Sequence, residues 1–177
     1  MVSNVKRWKL LLFTCLGLAV GSAFCMKLME PDLESNGTTF TVIGLELFYN
    51  SEKMTTILSG LNERVHAILS YHLYFDFAFM AGIFPVIAAL CMIARERTPL
   101  QIVKKTLFIL AFFQLVAWGL DIFENYTLLG WLKYPIISKQ DLLYFHIAVT
   151  CKWIISLLGI VSAIPFLFFK TRAVVVT

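Results

Sequence analysis

Charge is scarce in this chain. Only 15% of its 177 residues are Asp, Glu, Lys or Arg, against about 25% in a soluble domain. Hydrophobic residues make up 59%, and the mean hydropathy is +0.81. That excludes an ordinary soluble globular domain. Cysteine is also sparse: Cys15, Cys25, Cys91 and Cys151 include no CxxC pair, and all lie in or at the ends of apolar runs. A disulfide-stapled ectodomain and a thiol-oxidising membrane enzyme are excluded on that ground. There is no HExxH motif, no pair of ExxH motifs, no Cys/His array and no GxSxG. The signatures of a zinc protease and of a serine hydrolase are therefore missing.

What the chain does have is long apolar stretches. Leu10–Met26 carries no charge, and Val65–Ala94 carries only Asp76. Thr106–Leu132 carries only Asp121 and Glu124, and Leu142–Phe169 only Lys152. A membrane span needs about 20 apolar residues, so each stretch supplies one. The expected spans are residues 8–27, 66–94, 106–131 and 142–169, in a single domain covering 1–177. The first imitates a secretory signal: Lys6, Arg7 and Lys9 precede Leu10–Val20, and Gly21, Ser22 and Ala23 follow. We read it as a retained signal-anchor helix.

The basic residues set an orientation. Lys6, Arg7, Lys9, Arg95, Arg97, Lys104, Lys105, Lys170 and Arg172 fall on one side of the spans. Lys27, Lys53, Arg64, Lys133 and Lys139 fall on the other, with most of the loop acids. The positive-inside rule then makes both termini cytoplasmic. The net charge of +4 reads as an orientation device, not a nucleic-acid patch.

The outer segment, 28–65, opens with the turn formers Pro31, Ser35, Asn36 and Gly37. Phe40–Phe48 reads as extended from its β-branched and aromatic content. Ser51 is the expected N-cap of an amphipathic helix that places Met54, Ile57, Leu58, Leu61, Val65 and Ile68 on one face. It either rests in the outer interface or runs into the second span. Pro85 and Pro165 are expected to kink their helices or free a carbonyl, and the Gly17/Gly21 spacing to permit close helix contact.

The main functional clue is the set of ionisable residues inside the spans. A charge near a bilayer centre costs roughly 2.5–3.5 kcal/mol even on the mildest scale, so these groups must meet one another, water or a ligand. Asp76, Asp121 and Lys152 lie ~24–28 Å from the inner basic flanks and ~16–18 Å from the outer ones at a ~1.5 Å rise per residue. Three helices thus carry charge at one level. Gln114, Trp118, Asp121 and Asn125 form a polar stripe bordered by Glu124, and Lys152, Ser156, Gly159 and Ala163 a stripe that lets a helix approach. One lysine bridging the acids leaves surplus negative charge, which suits a proton or a cation. The bland alternative is a polar knot that fixes helix register. His72 and His146 sit near the outer mouth as possible partners of this cluster. A bound metal would draw on His72, Asp76, Asp121, Glu124 and His146, but their spacing matches no metal motif.

Three stretches carry a resemblance: Gly44–Leu58 (GLELFYNSEKMTTIL), Tyr74–Phe84 (YFDFAFMAGIF) and Ala117–Leu129 (AWGLDIFENYTLL). In them the chain resembles a family of small bacterial four-span membrane proteins of unassigned function. The resemblance implies a bacterial inner-membrane home and no activity. Claudin- and tetraspanin-like layouts share the long first outer loop, but this loop lacks the cysteines they require.

The expected fold is an all-α membrane protein, a four-transmembrane-helix bundle with an outer amphipathic cap between spans 1 and 2. The leading functional reading is a non-enzymatic integral membrane protein. It would be an accessory subunit of a larger membrane complex, or a lipid or small-ligand binder, built round Asp76, Asp121, Glu124, Asn125 and Lys152. A proton- or cation-coupled carrier is the alternative, and a membrane-embedded metalloenzyme the second. No catalytic residue, metal or cofactor is assigned. The expected partners are the lipid bilayer and other membrane subunits, with no nucleic acid.

Overall fold

The computed structural model describes residues 2–168, with side chains described from Asn4 onward. Among the described residues 86% are helical, and four helices are long and apolar enough to cross a membrane. These are α1 (Val2–Met29), α3 (Glu63–Arg97), α4 (Gln101–Lys133) and α5 (Lys139–Leu167). A short helix, α2 (Ser51–Ser59), lies in the segment between α1 and α3. The first three expected spans fall inside their helices. The fourth helix stops at Leu167, and residue 169, Lys170 and Arg172 lie outside the described residues.

The long helices persist because nothing interrupts their apolar runs. Pro85 and Pro165 each remove one backbone hydrogen bond, yet α3 and α5 continue through them. Helix starts are fixed by side chains: Asn62 accepts from the Val65 amide and Ser138 from the Asp141 amide.

α3, α4 and α5 pack on one another as a three-helix core, and α1 lies along the far side of α3. The close approach of α1 to α3 is carried by Gly82. A Cβ there would sit 2.7 Å from the Cys15 carbonyl oxygen and 2.7 Å from the Ala19 nitrogen. Gly17 and Gly21, expected to serve this purpose, have nothing within contact range of such a Cβ. They point away from α3, because Cys15, Ala19 and Ser22 already occupy the α3-facing stripe.

The segment from residue 30 to 62 folds over one end of this core. Asn36 and Gly37 both have positive φ (52° and 75°), which makes a two-residue turn between β1 (Glu34–Ser35) and β2 (Thr38–Thr39). The extended stretch expected across Phe40–Phe48 is not there: Gly44–Phe48 is a π-helical turn. Thr41 starts it, accepting from the Gly44 amide through its hydroxyl and from the Leu45 amide through its carbonyl. An isolated strand would leave its backbone groups unpaired, whereas the turn satisfies them and buries Val42 and Leu45 together. The Tyr49 ring lies directly against Gly44, where a Cβ would overlap it.

The expected amphipathic helix is split. α2 ends at Gly60, and Asn62 caps a new helix, α3. The N-cap of α2 is Asn50, not Ser51: Asn50 accepts from the Lys53 amide, while Ser51 is buried inside the first turn. Met54, Ile57 and Leu58 face inward, and the Ser35 hydroxyl donates to the Ile57 carbonyl at 2.9 Å, pinning the hairpin to α2. Leu33, Phe40, Val42, Leu45 and α2 pack on the ends of α3, α4 and α5 as one apolar cluster that includes Trp131 and Phe145. We call this the capped end. Met80, Phe84 and Ala117 form a second cluster, and Ile87, Cys91, Ala94, Leu107 and Ala163 a third towards the opposite end.

Candidate functional site

A polar layer separates the apolar cluster of the capped end from the two beyond it. On α3, Asp76 falls between Leu73 of the first cluster and Met80 of the next. On α4, Asp121, Glu124 and Asn125 fall between Ala117 and Leu128. On α5, Lys152 falls between Val149 and Ala163. The three helices therefore bring their internal charges to one level of the core.

Lys152 is the hub. Its Nζ donates to Asp121 Oδ1 at 2.7 Å and stands 2.5 Å from Glu124 Oε2. The second contact is an ion pair lying outside hydrogen-bond alignment. Both acids are deeply buried, Asp121 at 4% and Glu124 at 1% exposure, and Lys152 itself is 7% exposed. Asn125 lies one position beyond Glu124 and donates through Nδ2 to Asp76 Oδ2 at 2.7 Å. Asp76, which is partly buried, is thus tied to α4 by an amide rather than by the lysine. Asp121–Lys152 joins α4 to α5, and Asn125–Asp76 joins α4 to α3.

Two features hold this geometry from below. Gln114, two turns before Asp121, donates through Nε2 to the Leu110 and Ile155 carbonyls at 3.2 and 3.3 Å. Its approach to α5 depends on Gly159, where a Cβ would sit 2.7 Å from the Gln114 nitrogen. Cys91 Sγ lies 3.5 Å from the Gly159 carbonyl oxygen, so the same glycine also meets α3. Trp118, the remaining member of the expected stripe, is only partly buried.

Glu46 is the residue that sequence reasoning missed. It belongs to the π-helical turn, which packs on α5. Its charged neighbours are Glu124, Lys152, Asp76 and Asp121. No described residue hydrogen-bonds or ion-pairs with it. Burial pushes its carboxyl well above the usual carboxylate range. Glu124, Asp76 and Asp121 push the same way, and Lys152 opposes them. The signal in the sequence is a lone acid inside the apolar run FTVIGLELF, counted with the other acids of the outer side. With Glu46 counted, the charged set is four carboxylates and one lysine, of which the lysine contacts two.

The two histidines do not join this network among the described residues. His72 is buried, its Nδ1 has no hydrogen-bond partner, and its charged neighbour is Glu30 beyond the end of α1. His146 is partly buried beside the Phe145 ring at 6.0 Å, with Nε2 unpartnered. Among the described residues no three His, Cys, Asp or Glu side chains come together as a set that could hold a metal ion. The metalloenzyme alternative has no ligand set there.

No protein-family model, curated protein or solved structure matches the chain, so its function must be argued from its own residues.

Proposed function

We propose that the chain is a non-enzymatic integral membrane protein that acts as an accessory subunit of a larger membrane assembly. The observation that carries this reading is the way its surface is divided. Asp76, Asp121, Glu124 and Lys152, the charged side chains within the apolar runs of α3, α4 and α5, turn toward one another, while the outward faces of those runs and of α1 stay apolar. α1 goes furthest: it is held by α3 and leaves Leu10, Phe13, Val20, Phe24 and Leu28 exposed. Lipid covers such flanks, and so does a neighbouring helix of a partner. In water a surface of this extent would drive aggregation.

The basic residues of the chain support one orientation. Lys6, Arg7 and Lys9 at the start of α1 share an end with Arg95 and Arg97 of α3 and with Lys104 and Lys105 of α4. By the positive-inside rule this end faces the cytoplasm, and the capped end faces outward. A bacterial inner membrane suits that arrangement.

The test is isolation under mild solubilisation. An accessory subunit emerges with a second membrane protein at fixed stoichiometry. A strictly solitary monomer, prepared from its native membrane under several mild detergents, contradicts the reading.

One observation favours a second reading, a proton- or cation-coupled carrier. Asp121 and Glu124 contact a single ammonium, and Asp76 and Glu46 add two more carboxylates that feel the same charges. In a low-dielectric interior the surplus negative charge favours uptake of a proton or cation. Asp121→Asn should then abolish pH-driven flux in proteoliposomes without unfolding the protein. Absence of any flux in the wild type removes this alternative.

A further inference from the structure

At the end opposite the cap, α1 and α3 leave a groove of about 400 Å³ between them. Arg7 and Trp8 stand on one wall and Arg95 and Glu96 on the other, with Asn4 beside them. Leu11 and the buried Met92 make the apolar part of the lining. The charges are unequal. Arg95 is engaged, with Nη1 3.5 Å from Glu96 Oε1 and its guanidinium over the Phe108 ring at 5.4 Å. Arg7 has no hydrogen bond or ion pair among the described residues. The groove therefore holds two guanidinium groups against one carboxylate, and one of the two is unpartnered. Two turns further along α1, on the same stripe as Leu11, Leu18 is exposed.

We propose that this groove binds the headgroup of an anionic phospholipid, with its acyl chains laid along the open flank of α1. The inference rests on the reading of the chain as membrane-integral. Guanidinium groups hold phosphate through paired N–H donors, which a lysine cannot match. An indole at this level suits the boundary between headgroup and hydrocarbon. Basic residues just beyond a span gather anionic lipids, and here two of them converge from different helices onto one concave site. The apolar lining decides between a lipid and free phosphate. Leu11 and Met92 offer nothing to an inorganic anion, whereas Leu11 and the exposed Leu18, two turns further on, form one stripe of α1 that an acyl chain would cover.

Native mass spectrometry of the detergent-solubilised full chain tests this, with phosphatidylglycerol and phosphatidylcholine as probes. The expected result is selective retention of phosphatidylglycerol at one lipid per chain. Arg7→Gln combined with Arg95→Gln should weaken that retention by about tenfold or more. Lys104→Gln with Lys105→Gln, at the same end but outside the groove, should leave it nearly unchanged. An equal loss in both double variants overturns the proposal, because the preference would then belong to the whole basic end. Displacement of the lipid by millimolar inorganic phosphate also overturns it, because the site would then read phosphate alone. Flotation with phosphatidylcholine vesicles separates the two layers of inference. A protein that fails to float sinks the membrane reading itself. One that floats but shows no phosphatidylglycerol preference sinks only the groove.

Discussion

Replacing Lys152 by Met removes the one cation of the polar layer while keeping most of its volume. Asp121 and Glu124 then face each other in a buried site without a counter-charge. Breaking a buried pair by deleting one partner costs ~3–5 kcal/mol. An independent ceiling comes from proton uptake. Neutralising a carboxylate of ordinary pKa near 4 at pH 7 costs ~4 kcal/mol, at ~1.36 kcal/mol per pH unit. The two routes agree, so the expected loss at pH 7 is ~3–5 kcal/mol. Each pH unit downward should return ~1.4 kcal/mol per carboxylate that takes a proton. Between pH 7 and pH 5 the variant should therefore recover at least half of its deficit. Adding Asp121→Asn and Glu124→Gln to Lys152→Met should recover most of it at pH 7, since a neutral replacement of a buried ionic group is often tolerated. Unfolding in detergent, followed against temperature at both pH values, reads all three proteins. If Lys152→Met stays within ~1 kcal/mol of wild type, or loses the same amount at both pH values without rescue, Lys152 is not the hub.

Three more outcomes follow from particular contacts. The Glu46 carboxyl is raised by burial and by Glu124, Asp76 and Asp121, so its neutral form is the one the fold favours. Its contribution is complete below the ordinary carboxylate range and is lost as pH rises through the raised value. Hydrogen-exchange protection at the Gly44–Phe48 amides, taken relative to the intrinsic base-catalysed rate, should therefore fall with pH in the wild type and much less in Glu46→Gln; identical protection profiles would count against its place in the cluster. Gly82→Val drives a side chain into the backbone of α1 at Cys15 and Ala19, and should lower stability by ~1–3 kcal/mol, whereas Gly17→Val and Gly21→Val should be close to neutral. The reverse ranking in thermal unfolding would place α1 on another face. Asn62→Ala removes the acceptor for the Val65 amide and should cost ~1 kcal/mol, read as a lower unfolding midpoint.

Much of this architecture is legible in the sequence. The long helices follow from run length alone, because an apolar run of about 20 residues has few other ways to satisfy its backbone. Asp76, Asp121 and Lys152 are brought to one level by counting helical rise, and the stripe through Gln114, Asp121 and Asn125 marks the inward face of α4. What failed depended on contacts between elements. The position of Glu46 is set by a turn folding back over the core, and no periodicity within FTVIGLELF reveals that. The alternation of Leu45, Glu46 and Leu47 imitates a strand, and only the lack of a pairing strand argues for a helical turn. Asn36-Gly37 carried a hairpin signal in its tolerance of positive φ, and the reading took from it only a turn. Gly17 and Gly21 show the limit of spacing rules. A spacing says that two residues share a face, but not which neighbour that face meets.

The most direct test is a dipolar coupling measurement by solid-state NMR on bilayer-reconstituted protein, between the 15N-labelled Lys152 ammonium and the 13C-labelled carboxyls of Asp121 and Glu124. Strong coupling to both carboxyls, absent in Lys152→Met, is the expected result. An ammonium signal at Lys152 that exchanges freely with water and couples to neither acid would contradict it, and the polar layer would then have no hub.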